Sequence, residues 1–310
     1  MIHDSSSGRS GDAAALFLCI GDIDVDVLIG VERLPTRDSK VNGSRLQRAP
    51  GGMAGNVSMA LARLGASVRL FGCVGDDEDG AFALEGLARA GVDTSHVLHL
   101  ASVATFSCIA LVTPDGEKSL LKLMTAAYRP RPDDVADRVF VGVGHAHLTS
   151  GGDPELCRRV VEAAGRAGAT CSLDMERADL PEAPDDLVRA LDGFDFLFCN
   201  AESRVAVDER LGMPATRRVP VVVTTLGAAG SRVEGVGRPI EASGLTVAVK
   251  DTTGAGDCFA AAFLHARLAH ALGWEDALRF ANCAAALSTT EYGAQSALPT
   301  EAEVSAVLSG

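Results

Sequence analysis

From Leu16 onward the chain alternates short apolar runs, each ending in Gly, Asp or Asn, with segments of helical period rich in Ala, Leu and Arg. That alternation is the pattern of a parallel sheet covered by helices, an α/β fold. Strands are predicted at Leu16–Ile23, Ser67–Val74, Val139–Leu148, Ala169–Asp174, Phe194–Asn200 and Val219–Leu226, with helices at Ala54–Leu64, Gly80–Ala90, Pro154–Ala167 and Leu187–Leu191. The last third reads as three helices, Ala255–Ala271, Trp274–Thr290 and Thr300–Leu308. Thr300 followed by Glu303 makes a capping box for the last of them.

Two regions, about 25–48 and 101–124, break the alternation with period-2 patterning, the second around a turn at Pro114-Asp115-Gly116. They are expected to be antiparallel strands outside the main sheet, forming a small β lid; ordinary surface hairpins fit the same pattern. Residues 1–12 (MIHDSSSGRSGD) are polar and acidic, unlike a secretory signal, and read as a disordered leader to one domain spanning 13–310. No apolar stretch reaches the ~20 residues that span a bilayer.

Composition narrows the class. A 310-residue chain that is 47% hydrophobic can bury a large core. Its charge, 28 minus 41 or −13, gives no help to a nucleic-acid or anionic-membrane partner, so a small anionic ligand needs a local site. The eight cysteines form no CxxC pair and sit mostly in apolar runs, as buried thiols in a reducing cytoplasm do.

The local site with the sharpest chemistry is Asp251-Thr252-Thr253-Gly254-Ala255-Gly256-Asp257, between a strand-like run, LTVAVK, and a long helix. Free N–H groups and the positive end of the dipole favour a phosphate at a helix start, and small residues let the backbone approach it. Asp257 reads equally well as a carboxylate that stabilises the helix start and as a base beside an anion hole. The second pairing is what phosphoryl transfer asks of a protein.

The segment DTTGAGDCFAAAFLHARLAH resembles the second signature of the ribokinase-like (PfkB) carbohydrate kinases, and GGMAGNVSMALARLGASVRLFGCVGDDEDG (Gly51–Gly80) resembles the first. GDIDVD, TTLGAAG and FANCAAALSTTEYGAQSALPT extend the likeness over nearly the whole chain. The resemblance implies a doubly wound, mostly parallel sheet flanked by helices, with a small β-sheet lid. The implied reaction is transfer of the γ-phosphoryl group of ATP to a hydroxyl, expected to be primary, of a monosaccharide or sugar derivative. Asp257 would be the base, and the backbone of Gly254, Ala255 and Gly256 would cradle the phosphoryl group.

The same resemblance assigns Asp24, Asp26, Gly51, Gly52 and Asn56 to the sugar hydroxyls, although the family commonly has Asn where Asp24 stands. It assigns Asn200, Thr225, Gly227, Gly230 and Asn282 to ATP. Asn200 opens the family's Asn-x-x-Glu motif for Mg²⁺; Ser203 occupies the glutamate position here, leaving Glu202 or Asn200 to serve. Asp251, Thr253 and Gly293 match a monovalent-cation loop, often filled by K⁺, with Glu291 where some relatives carry a basic residue. A homodimer through the lid is the expected assembly.

His145 and His147 share a strand face, but without a third ligand they read as structural. Thr149-Ser150-Gly151-Gly152, at a strand's carboxyl end, is placed to touch the acceptor. Asp76-Asp77-Glu78-Asp79 reads as a solvated helix entry. Arg33, Arg37, Lys40, Arg45, Arg48 and Lys122 concentrate basic charge in the lid segments, which leaves room for an acceptor already carrying an anion, such as a sugar phosphate.

Ribose-like pentoses, ketohexoses, deoxy-keto sugar acids and nucleosides all remain open as acceptors. The stretch LLKLMTAAYRP lacks a Gly-Ala-Asn element that many relatives show there. A dinucleotide oxidoreductase is disfavoured because GDIDVD stands where GxGxxG belongs, and a Walker NTPase because GxxxxGK[ST] is absent. A non-catalytic nucleotide or sugar sensor is the remaining competitor, resting on Ser203.

Overall fold

Consecutive side chains of a strand point to opposite faces, so strands that are apolar at every position need cover on both sides. The computed structural model describes residues 16–115, 117–149 and 152–310. The expected leader at 1–12 lies outside them, as do Gly116, Ser150 and Gly151.

The strands are β1 (Leu16–Ile20), β2 (Asp24–Val31), β3 (Gly43–Gly51), β4 (Val68–Phe71), β5 (Cys73–Gly75), β6 (Leu98–Leu100) and β7 (Ser107–Val112), then β8 (Lys118–Leu123), β9 (Val143–Leu148), β10 (Thr170–Asp174), β11 (Phe196–Asn200), β12 (Val221–Thr225), β13 (Ser231–Glu234) and β14 (Ile240–Ala242). The helices are α1 (Met53–Arg63), α2 (Glu78–Arg89), α3 (Pro154–Ala167), α4 (Pro184–Leu191), α5 (Ala201–Leu211), α6 (Ala255–Leu264), α7 (Trp274–Ser288) and α8 (Glu301–Ser309).

Eight strands form the main sheet in the order β14-β13-β12-β11-β10-β9-β1-β4, parallel except for β13 and β14. Alternation along each strand feeds two cores. Phe17, Cys19, Leu70, Phe198 and Val223 pack with α1, α6 and α7, whereas Leu18, Ile20, Leu148, Leu173 and Val222 pack with α3 and α4. Chain order reverses beside β1, which has β4 on one side and β9 on the other. Open α/β sheets bind ligands at the carboxyl ends of strands beside such a reversal.

The two irregular regions pair with each other in a separate sheet, β3-β2-β7-β8. The expectation of antiparallel strands holds for β2 with β3 and β7 with β8, but β2 and β7 run parallel. Two separate excursions from the main sheet are joined side by side, and only hairpin partners are forced to be antiparallel.

Other boundaries also differ. LTVAVK (Leu245–Lys250) forms no strand, because no neighbouring edge pairs with it. The predicted strand from Val139 starts at Val143, after a 3₁₀ turn at Asp137–Phe140. The helix predicted over Ala255–Ala271 is α-helical to Leu264 and then widens into a π turn over His265–Ala269. Thr300 and Glu303 do form the capping box of α8.

Candidate active site

The start of α6 is left open by its sequence. Its N-cap, Gly254, adopts φ 74° and offers no side chain, so the first helical N–H groups have no side-chain acceptor from the cap. Thr252 O takes the Ala255 N–H and Gly254 O takes the Cys258 N–H, and the N–H groups of Gly256 and Asp257 lie between these two. A Cβ built on Gly256 meets nothing within 4 Å, so that side of the turn is open space. On Gly254 the same atom comes 2.7 Å from the Ala294 Cβ, so there the absence of a side chain serves packing.

Asp257 is buried in the first turn of α6, and Asn56 on α1 donates its Nδ2–H to Oδ2 at 2.8 Å. Gln295 donates to Asn56 Oδ1 at 3.0 Å, which fixes the direction of the amide. Burial pushes the Asp257 carboxyl well above the carboxylate range; the Asn56 bond opposes this, and Asp174, Asp22 and Glu176 reinforce it.

The carboxyl ends of three parallel strands face this turn. Asp174 ends β10, Asn200 ends β11 and Thr225 ends β12, and with Glu176, Gly256 and Asp257 they line a pocket of about 70 Å³. Burial raises Asp174 to about 8, helped by Glu176 and Asp179, and burial followed by Asp179 raises Glu176. Asp22 is raised by burial too, although it accepts the Met53 N–H at 3.1 Å and the Thr149 hydroxyl at 3.1 Å. In the first of these bonds it acts as the cap that Gly52 cannot supply to α1. Burial works against the Lys122 ammonium, but Tyr128, Asp179, Glu176 and Asp22 outweigh it and raise its pKa.

Asp24 and Asp26 begin β2 and face Gly51, which closes β3 opposite Asp24. A Cβ on Gly51 would lie 2.3 Å from Asp24 Oδ1 and 2.4 Å from Asp26 Oδ2, so glycine is what admits both carboxylates. Gly52, at φ 84°, passes as closely to the Asp22 carbonyl. Asp24 is raised well above its ordinary value by burial, then by Asp26 and Asp22, and its Oδ1 is buried with no hydrogen-bond partner among the described residues. A wider cleft of about 1180 Å³ opens between β2, β3 and the loop before α6, past Gln47, Asp251 and Tyr292.

Asp251, Thr253 and Gly293 come together as the sequence suggests. Asp251 Oδ1 accepts the Thr253 N–H at 3.0 Å and its hydroxyl at 2.7 Å, and Oδ2 accepts the Gly293 N–H at 3.0 Å. Lys250 and Glu291 pair across the same loop at 2.7 Å.

Other expected residues make structural bonds or turns. Asn282 spends its Nδ2 on the carbonyls of Ala242 and Ser243, at 3.0 and 3.1 Å, and so holds the end of β14. That carbonyl of Ala242 is also where a Cβ on Gly230 would collide, and Gly227 starts a 3₁₀ turn at φ 60°. Asn200 Oδ1 caps α5 through the Ser203 N–H at 2.8 Å. Glu202 does not reach the pocket: it is exposed and paired with Arg177 at 2.5 Å, because the residue two places into α5 turns away from the strand ends.

His145 and His147 are core residues, hydrogen-bonded to Thr170 and Ser172 and pushed down to about 3 by burial, hence neutral. Thr149 serves Asp22, and Asp77 caps α2 while holding Thr105. Arg48 pairs with Asp79 and lies over the Phe82 ring. All eight cysteines are free and buried.

Asp22, Asp174 and Glu176 are the functional candidates that sequence reasoning passed over. Asp22 lies inside GDIDVD, and Asp174 is an acid closing an apolar run, but neither position in the sequence shows how many other acids the fold gathers around it.

A family profile described as pfkB family carbohydrate kinase matches residues 14–301. Over 294 residues the chain is 33% identical to an ATP-dependent ribose-1-phosphate kinase of Halopiger xanaduensis, covering 94% of this chain and 97% of that protein. It is 30% identical over 303 residues to a ribokinase of Bacillus subtilis, at 94% and 98% coverage. An Arabidopsis thaliana ribokinase, solved with ribose and ATP, superposes with a TM-score of 0.81 at 26% identity, covering 96% of this chain and 99% of that one.

Proposed function

The chain belongs to the pfkB family of carbohydrate kinases, and from that premise we propose that Asp257 is the base by which it transfers the γ-phosphoryl group of ATP to a sugar hydroxyl. The observation that carries this is the placement of a buried, Asn56-oriented carboxylate at the uncapped start of α6, beside strand ends that bear further carboxylates. Asp257 takes the hydroxyl proton. The N–H groups of Gly256 and Asp257, with the α6 dipole, meet the charge on the transferring group. Thr225 and the turn at Gly227 to Gly230 approach the phosphates from the β12 side.

The crowded acids fit Mg²⁺, a hard cation that prefers oxygen ligands and keeps several waters. Asp174, Glu176 and Asn200 would hold it, in place of Glu202. When bound it supplies positive charge to the phosphates, and its field returns the raised carboxyls toward their ionised form. For K⁺ the supporting feature is the Asp251, Thr253 and Gly293 loop, tested by rates in potassium against choline salts.

The acceptor reading is a monosaccharide whose hydroxyls meet Asp24 and Asp26, with the unpartnered Asp24 Oδ1 taking one O–H. Lys122, a cation that interacts with the site carboxylates, and the likeness to a ribose-1-phosphate kinase favour a sugar that already carries a phosphate. The four-stranded sheet acts as a lid that excludes water. Leu120 and Leu121, consecutive on its edge strand β8, are both exposed, as are Leu46 and Leu123, which supports pairing of two lids in a homodimer. Eight buried free thiols suit a cytoplasmic setting. No helix among the described residues is long and apolar enough to cross a membrane.

The test is ADP release with Mg²⁺-ATP against ribose, ribose 1-phosphate, fructose, sugar acids and nucleosides, with Asp257→Asn alongside. High, Asp257-dependent kcat/KM on one acceptor supports the reading and names the acceptor. Preference for a nucleoside would move the acceptor class. Silence across the panel with tight ATP binding would favour a sensor.

A further inference from the structure

The far end of α6 carries a second cluster of chemistry. At Leu264 the helix leaves α geometry, and His265–Ala269 make a π turn in which the His270 N–H reaches the His265 carbonyl at 3.3 Å. In an α-helix residues five apart point about 140° away from each other. The wider turn brings His265 and His270 onto one face, with ring centres 4.6 Å apart and the two Nε2 atoms 3.0 Å apart. The turn is then ended by Ala271 at φ 51°, a conformation that residues with a Cβ seldom adopt. Two unfavourable backbone choices in seven residues serve this juxtaposition, and π turns recur at functional sites.

Glu301, the first residue of α8, completes the cluster. Its Oε2 is 3.3 Å from His265 Nε2 and its Oε1 is 3.3 Å from His270 Nε2. Two imidazole nitrogens and a carboxylate are zinc ligands, and Zn–N bonds of about 2.0–2.1 Å in a tetrahedral site put neighbouring ligand atoms about 3.3 Å apart. Without a cation, the two facing nitrogens share one proton at most. With one, both rings present a lone pair and carry their proton on Nδ1, which in His265 is buried with no partner among the described residues. His265 is nearly inaccessible, but the side chains of His270 and Glu301 are 42% and 43% exposed, which leaves an entry path and room for a water as fourth ligand.

We propose that His265, His270 and Glu301 form a binding site for Zn²⁺ or a similar borderline first-row divalent ion, which ties the end of the catalytic helix to the first turn of α8. The site is separate from the Mg²⁺ position: His265 lies eight residue steps, about 12 Å of helix rise, beyond Asp257. The role is clamping, and the basal phosphoryl transfer does not need it.

The experiment uses the full chain, stripped with a chelator and kept in excess Mg²⁺ so that the active-site acids are occupied. Zn²⁺ is titrated against a chromophoric chelator, Co²⁺ spectra are recorded, and Tm is measured with and without Zn²⁺. The expected result is one equivalent of Zn²⁺, a Co²⁺ spectrum without thiolate bands, and a Zn²⁺-dependent rise in Tm. His270→Ala and Glu301→Gln, at half-exposed positions, should each weaken binding by about tenfold or more and abolish the Tm rise. Absence of Zn²⁺ binding in the wild type, binding unchanged in the double variant, or thiolate bands from the cysteines would each overturn the proposal.

Discussion

Asn56 Nδ2 lies 2.8 Å from Asp257 Oδ2, a hydrogen bond that joins the first helix of the fold to the sixth across 201 positions of sequence. The sequence resemblance places Asn56 among the sugar ligands; the structure adds that its amide also positions the carboxylate. Gln295 sets that amide by donating to its oxygen, so the two signature segments and the C-terminal turn meet in one chain of hydrogen bonds.

Removing the donor should therefore change the acid limb of the pH profile. The Asn56 bond holds the Asp257 carboxyl down against burial, so Asn56→Ala raises its pKa further. The base must be ionised to work, and the rising limb of kcat/KM should move to higher pH, with kcat lower by about tenfold or more at neutral pH. Gln295→Ala should move the limb the same way by less. An unmoved limb in Asn56→Ala would show that Asn56 serves the acceptor alone.

Asp257→Asn should lower kcat by about 10²- to 10⁴-fold without costing stability. A carboxyl raised by burial releases its proton more readily when unfolded, so stability falls as pH climbs from the unfolded value toward the folded one, and the loss is complete above it. A neutral amide has no such penalty. The ligand-free variant should melt at or above the wild-type Tm at pH 7, a point checked by calorimetry beside the activity assay.

Local chemistry was legible in the sequence wherever adjacent residues determine it. The glycine turn before Asp257, the strand end at Asn200 and the Thr300 capping box all stand where the pattern put them. What escaped depends on tertiary neighbours. Nothing near Glu202 announces that Arg177 takes it to the surface, or that Glu176 turns inward instead. The strand-like LTVAVK failed because a strand needs an edge to pair with, and β14 ends the sheet. The parallel pairing of β2 with β7 joins segments about 80 residues apart, beyond the reach of periodicity.

Variants at Glu202 and Glu176 test where Mg²⁺ is held. Glu202→Ala removes an exposed ion pair of little energetic weight and should leave both Tm and the Mg²⁺ dependence of rate unchanged. Glu176→Gln removes the negative charge of a half-buried ligand from the pocket and should raise the Mg²⁺ concentration needed for half-maximal rate about tenfold. The opposite ranking would return the metal to Glu202.

Asp174 adds a pH dependence to the same metal. Its pKa of about 8 in the ligand-free chain means that it is largely protonated at pH 7, and a cation must displace that proton to use the carboxylate. Mg²⁺ affinity should climb with pH up to about 8 and level off above it, with proton uptake by buffer on binding at pH 7. Asp174→Asn should bind Mg²⁺ more weakly and with a shallower pH dependence over that range, the rest coming from Glu176 and Asp257. Titration in two buffers of different ionisation enthalpy measures the released proton directly.

Gly51→Ala tests the acceptor side. The new Cβ would stand within 2.4 Å of both Asp24 Oδ1 and Asp26 Oδ2, so the two carboxylates must move. The three atoms nearest to it all belong to Asp24 and Asp26, so the chemistry downstream of binding should change less than binding itself. KM for the sugar should rise about tenfold or more while KM for ATP stays within twofold. A fall in kcat with sugar KM unmoved would mean that the two carboxylates shape the fold around α1 and leave the hydroxyls to other groups.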